Sequence, residues 1–272
     1  MNMLIALLAA VHVACASTPR SSLPCNIDRL SRDLDPEVTL ARFRSDYIGK
    51  LPVIAELRRD RNVKFRSLTE RDSLLESYGH LPVELSTANS FTGRAWEKLT
   101  LAAYMQHMMA AQTAERGGNS TWYFFGNTYG AEWEAMLAEY EEPPLAESAG
   151  TGLASANGAT SYGTAVSFGL AGKESGVPFH LHSDGWSEVL HGAKRWFLFP
   201  PGYDVGHDPN ASTLQWSTAP DGYGAHIDRE DISAQIMREC VIWPGDALYF
   251  PPDWPHATLN LGEYNAFAST FL

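Results

Sequence analysis

The sequence predicts an α+β chain, mainly β, with N-terminal helices packed on a barrel that spans about residues 160–272. Two observations predict it. Apolar residues at helical spacing, with caps and stops, occur only ahead of residue 146. From Tyr162 to Leu272 the pattern changes to short strand-forming runs broken by Gly and Pro. No internal repeat or linker divides the chain, so residues 17–272 read as one domain behind a leader of residues 1–16.

The elements follow in order. Met3 to Ala14 is apolar but too short to span a bilayer, and Ala14-Cys15-Ala16 has the small-x-small pattern of a signal-peptidase site, so residues 1–16 read as a cleaved signal peptide. Leu51 to Ala55 reads as a strand. Thr69 with Asp72 starts a helix through Leu74, Leu75 and Tyr78, closed by Gly79. Val83 to Ser86 is a second strand, and Thr100 caps a helix through Tyr104 and Met108. Thr121 to Phe125 is aromatic and strand-like, and Trp133 to Tyr140 is a helix stopped by Pro143-Pro144. Residues 146–164, rich in Ala, Gly, Ser and Thr without periodicity, read as a loop.

Composition narrows the function. A hydrophobic content of 44% with 8 Trp, 11 Tyr and 12 Phe supports a large core. The net charge of −12 argues against nucleic acid as a partner, which needs a basic surface. No run beyond the leader reaches membrane-spanning length. Removal of the leader leaves Cys25 and Cys240, expected to pair in an oxidising lumen, the alternative being two separate buried thiols. Two sequons, at Asn119 and Asn210, fit glycosylation in the same compartment.

The chemistry-bearing residues lie late. Gly245-Asp246-Ala247-Leu248-Tyr249-Phe250-Pro251-Pro252-Asp253-Trp254-Pro255-His256-Ala257-Thr258-Leu259-Asn260 resembles the second motif of the cupin barrel, with Asp253 where that motif has its second Gly. Upstream stand Phe179-His180-Leu181-His182-Ser183-Asp184 and Gly192-Ala193-Lys194-Arg195-Trp196-Phe197-Leu198-Phe199-Pro200-Pro201. Together these stretches resemble the jumonji-C family of iron- and 2-oxoglutarate-dependent oxygenases. That resemblance implies a double-stranded β-helix, the cupin or jelly-roll barrel.

Residues i and i+2 of a strand face the same way, so a His-x-acid pair and a distant His can hold Fe(II) on one side of the ion. Here the pair is His180 and His182, joined by His256: an imidazole stands where the family has a carboxylate. Asp184 is the alternative carboxylate, roughly 6–7 Å further along a strand, and it becomes a ligand only if the register slides. By the resemblance, relatives place a longer stretch between the first ligand and this glycine, so the longer of the two spacings to Gly192 favours His180 as first ligand. Three imidazoles also suit zinc. By the resemblance, Lys194 pairs with the distal carboxylate of 2-oxoglutarate, although a solvated hairpin end is the other reading. Val177 occupies a position where many relatives carry Thr.

Three functions remain. The first is an Fe(II)- and 2-oxoglutarate-dependent hydroxylase of a protein in the endoplasmic reticulum lumen, with secretion as the other destination. The second is a catalytically silent interaction fold of that compartment, and the third is a zinc cupin.

Overall fold

The computed structural model describes residues 24–87, 96–109, 113–115, 120–126, 128, 130–146, 165–206, 208, 210–223 and 236–271. The leader of residues 1–16 and Asn119 lie outside them. Its strands are β1 (Asp28–Leu30), β2 (Val53–Glu56), β3 (Pro82–Thr87), β4 (Trp96–Thr100), β5 (Trp122–Phe125) and β6 (Ala165–Ala171). The later strands are β7 (Gly185–His191), β8 (Lys194–Leu198), β9 (Arg238–Ile242), β10 (Asp246–Phe250), β11 (His256–Asn260) and β12 (Asn265–Phe271). The helices are α1 (Pro36–Arg42), α2 (Val63–Leu68), α3 (Arg71–Tyr78), α4 (Leu101–Ala103), α5 (Ala131–Leu137) and α6 (Thr213–Thr218).

A nine-stranded sheet runs β1-β2-β10-β7-β12-β6-β5-β3-β4, and a three-stranded sheet runs β11-β8-β9. All pairings are antiparallel except β1 with β2. The result is a jelly-roll with one large and one small sheet, mostly β with few helices.

Side-chain alternation in the small sheet explains its two faces. Trp196, Leu198, Cys240 and Ile242 turn inward and pack on Ile54, Val189, Leu248 and Phe250 of the large sheet. Phe197, Ala257 and Leu259 turn outward and are covered by Trp216 of α6 and by Phe179. On the far side of the large sheet, Phe65, Leu74, Leu101 and Trp133 of the helices cover Phe168, Leu170 and Ala266. A disulfide joins Cys25 to Cys240 of β9, with an S–S distance of 2.05 Å. No helix among the described residues is long and apolar enough to cross a membrane.

Several elements differ from expectation. Thr69 does not start a helix: it ends α2, its hydroxyl donating to the Phe65 carbonyl, and Glu70 precedes α3. The Thr100 cap is present, its hydroxyl accepting from the Ala103 amide, but α4 passes after one turn into a π-helical stretch over Tyr104–Met108. Helix α5 ends at Leu137, short of Tyr140, whose hydroxyl donates to buried Glu188. Within the stretch where β signals dominate, α6 forms behind a full capping box between Ser212 and Gln215.

Candidate metal centre

His256 opens β11, and alternation turns its ring, with Thr258 and Asn260, toward the space between the sheets. It is 2% exposed. Facing β11 is the segment 174–180. It is laid along the strand by bonds from the Glu174 amide to the Asn260 carbonyl, the Asn260 amide to the Ser175 carbonyl and the Thr258 amide to the Val177 carbonyl. His180 and His256 then exchange both backbone hydrogen bonds, at 3.1 and 2.9 Å. Gly176 permits this approach, since a Cβ there would sit 1.7 Å from the Thr258 carbonyl oxygen.

The expected ligand strand is therefore not a regular strand. Only His180 forms a bridge, and residues 181–184 bend away before β7 begins at Gly185. Pro178, which has no N–H to give, accounts for the broken ladder. The bend nevertheless brings the three imidazoles together. Ring centroids lie 4.3 Å apart for His180–His256, 4.8 Å for His182–His256 and 5.3 Å for His180–His182. Their ligand atoms all fall within 4.8 Å of one another.

Each ring is also oriented from behind. His180 Nδ1 meets the Pro178 carbonyl at 2.8 Å, His182 Nδ1 the Ser183 carbonyl at 2.6 Å, and His256 Nδ1 the Trp254 carbonyl at 2.8 Å. A carbonyl oxygen only accepts, so each neutral ring carries its proton on Nδ1 and has Nε2 as its acceptor nitrogen. This is the outer support that metal-binding histidines use. Removal from water pushes the His180 pKa down to about 4 and lowers those of His182 and His256, so all three rings are neutral at pH 7. Three nitrogens about 2.1 Å from one ion, at octahedral to tetrahedral angles, stand about 3.0–3.4 Å apart. The three rings are the donor set of a divalent transition metal, and the widest pair would draw together by more than about 1 Å to hold one.

Asp184 stands apart from this cluster. Its Oδ2 accepts from the Tyr249 hydroxyl at 3.0 Å, so the register that would make it the carboxylate ligand is not the one adopted. Lys194 is not a solvated hairpin end. It is 3% exposed, with Nζ 2.9 Å from the Phe267 ring centroid and 5.9 Å from that of Trp196. No carboxylate among the described residues pairs with it, and burial pushes its pKa well below the usual lysine range.

Lys194 shares with the three histidines a cavity of about 190 Å³ whose described walls carry no Asp or Glu. Thr258 also lines it; its hydroxyl accepts from the Val177 amide at 3.2 Å, which leaves its own proton available to a ligand. Val177 thus removes one hydroxyl from the segment while β11 supplies another. Trp196 adds a buried indole N–H that has no partner among the described residues. The sequence reading missed Thr258 and Trp196, yet counting two along the strands from His256 and from Lys194 finds both.

Asn210 is exposed in the turn before α6. Asn260 is fully buried, its side-chain amide donating to the Ser175 carbonyl, and so helps shape the barrel wall.

No protein-family model matches the chain. Among curated proteins, human JmjC domain-containing protein 8 is 39% identical over 248 residues, covering 91% of this chain and 84% of its own length. Its rat counterpart is 39% identical over 254 residues, covering 91% and 82%. A lysine-specific demethylase of Arabidopsis thaliana, JMJ21, is 25% identical over 252 residues, but that match spans only 24% of the plant protein. From this identity, sustained over nearly the full length of both partners, the chain belongs to the JmjC domain-containing protein 8 family.

Proposed function

We propose that His180, His182 and His256 hold Fe(II), that Lys194 takes the distal carboxylate of 2-oxoglutarate, and that the centre hydroxylates a side chain of a protein in the endoplasmic reticulum lumen. One observation carries this reading: three imidazoles and a buried lysine amine, with no carboxylate partner among the described residues, line the same cavity. A buried cation without a counter-charge is costly unless an anion completes it. Iron with 2-oxoglutarate supplies oxygen activation when both are bound. The chain's own residues do the rest. Three neutral ligands leave the ion its full charge, so an anionic co-substrate is favoured, and Thr258 offers a hydroxyl in the cavity that Lys194 lines. The aromatic walls of Phe250, Phe267 and Phe271 keep water away.

In this reading residues 1–16 are a removed signal peptide and 17–272 form one domain. The Cys25–Cys240 disulfide and the exposed sequon at Asn210 support an oxidising lumen. The family name alone supports the fold and not a histone target. An acidic chain with a leader has no evident route to chromatin.

A second reading is favoured by His182 itself. With an imidazole in place of the family's carboxylate, the fold would serve as a silent interaction module, or would hold zinc. Metal analysis of untagged protein, with calorimetric titration of 2-oxoglutarate, separates these. The oxygenase reading expects about one iron-group ion per chain, and 2-oxoglutarate binding that Lys194→Ala weakens at least tenfold while the metal stays. Absence of metal supports the silent fold, and zinc without 2-oxoglutarate binding supports the zinc cupin.

A further inference from the structure

His182 is the ligand with the least secondary structure around it. It lies in the bend between the bridge at His180 and the start of β7 at Gly185, with a single backbone tie among the described residues, from the Asp253 amide to its carbonyl at 3.3 Å. Its ring is half-exposed and rests edge-on against Phe250 and Phe271, at 5.3 and 5.0 Å between centroids. A bend held this loosely costs conformational entropy each time the ring must meet an ion. Something has to fix it from outside.

Two residues on, Asp184 receives the Tyr249 hydroxyl at 3.0 Å, and the Tyr249 oxygen in turn accepts from the Gly49 amide at 2.9 Å. Tyr249 is a rigid post. It is fully buried in β10, with Phe43 edge-on at 5.1 Å and Trp186 tilted at 5.4 Å. The Gly49 amide occupies the phenol oxygen, which directs the phenol proton toward Asp184. Gly185 locks the exit of the same bend: a Cβ there would lie 2.7 Å from both the Phe250 ring and the Thr270 carbonyl. Phe250, next in sequence to Tyr249, is also the ring against which His182 rests. The bend is thus gripped on its ring side by Phe250 and at its far end by Tyr249, two consecutive residues of one strand.

We infer that Asp184 and Tyr249, with the Gly49 amide, are positioning residues that hold His182 in reach of the ion. This rests on the three-histidine metal reading above. It assigns Asp184 a part in the centre without ligation. The carboxylate nearest the motif anchors the third imidazole, and an amide oxygen could do the same work.

The test is Co(II) binding to the full chain freed of metal, followed by titration and by the visible d–d spectrum, with thermal unfolding of each metal-free variant alongside. Tyr249→Phe keeps the ring packing and removes only the hydroxyl. It should weaken Co(II) about tenfold and alter the spectrum. Asp184→Ala should do the same, and the double variant should be no worse than either single one. Asp184→Asn still accepts from Tyr249 and should retain wild-type affinity within about threefold.

If wild-type protein binds no Co(II), or His182→Ala leaves the spectrum unchanged, the metal reading fails and this inference falls with it. If wild type binds through three imidazoles but Tyr249→Phe matches it, the inference alone is overturned. Loss of binding in Asp184→Asn as severe as in Asp184→Ala also overturns it, because Asp184 would then be a ligand. A Tyr249→Phe affinity loss that tracks a fall in unfolding temperature, with the spectrum unchanged, counts against it too, since that is a merely structural role.

Discussion

His256 and His182 bring the same ring to the same centre and are held there by opposite means. His256 is 2% exposed on a strand hydrogen-bonded to β8 on one side and to the segment 174–180 on the other. Thr258, two residues along β11, and Lys194, opposite Asn260 on β8, face the same cavity. His182 is half-exposed on a bend and is tied through Ser183, Asp253 and the Tyr249–Asp184 pair. The strand side of the centre is made by the fold itself. The bend side has to be completed by side-chain contacts, which makes it the more adaptable half.

The largest effect should come from removing the strand ligand. His256→Ala should take metal binding below detection. His182→Ala should leave weak binding, reduced by more than the ~10–100-fold typical of losing an outer-shell partner. Metal content after dialysis against a competing chelator measures both. Equal losses would erase the distinction between the two halves. A loss in Asp184→Ala greater than in His182→Ala would reverse the assignment of ligand and anchor.

The disulfide sharpens the comparison from the strand side. Cys240 lies across the small sheet from Trp196, and Cys25 brings the N-terminal segment onto the edge of β9, where the Asn26 amide donates to the Glu239 carbonyl. Closing a loop over a sequence separation of 215 residues limits the unfolded chain. Cys25→Ser should therefore lower stability by about 2–5 kcal/mol in urea unfolding. If the strand side is built independently of the bend, the loss should appear in stability while the Co(II) spectrum of folded protein stays unchanged.

Acid should act through the histidines. In the metal-free fold His180 resists protonation down to about pH 4, whereas in the unfolded chain it takes a proton near its ordinary value of 6.5. Above that value it contributes no pH dependence. As pH falls from 6.5 toward 4 the unfolded state gains protons that the fold refuses, and stability declines. Unfolding temperatures of metal-free wild type and His180→Gln between pH 7.5 and 4.5 should converge or cross as acid is added. A constant difference between them would count against the buried, neutral ring.

How much of this was legible in the sequence depends on how local the deciding contact is. The mainly β region followed from strand-forming runs, and the jelly-roll from the resemblance that the His256 motif carries. Lys194, Trp196, His256 and Thr258 follow from period-two alternation, which the small sheet obeys. Whether His182 or Asp184 faces the ion is not local. Both lie on the same side by simple counting, and the difference is made by Tyr249, 65 residues away, whose hydroxyl takes up Asp184. The bend at 181–184 was hidden for the same reason, since the contact at its far end is with Tyr249, whereas the ladder lost at Pro178 was a local sign left unread. Helix α6 left a readable sign, the Ser212–Gln215 capping box, inside a region whose other signals were β.

The smallest effect belongs to Asp253, where the sequence departs from the barrel motif's second glycine. Asp253 adopts φ +61°, in the left-handed region that glycine favours, and its amide donates to the His182 carbonyl. The departure therefore keeps the backbone shape of the motif and accepts a strain of about 1–2 kcal/mol, reduced for Asp by its tolerance of this conformation. Asp253→Gly would relieve that strain while adding the entropy of a freer unfolded chain, about 0.5–1 kcal/mol. The exposed carboxylate has little packing to lose. The net gain should be under about 1 kcal/mol, or an unfolding temperature higher by about 2 °C. Because the amide bond to His182 survives the change, metal affinity should not move. A drop in affinity with unchanged stability would mean that the Asp253 side chain, and not only its backbone, holds the adaptable half of the centre.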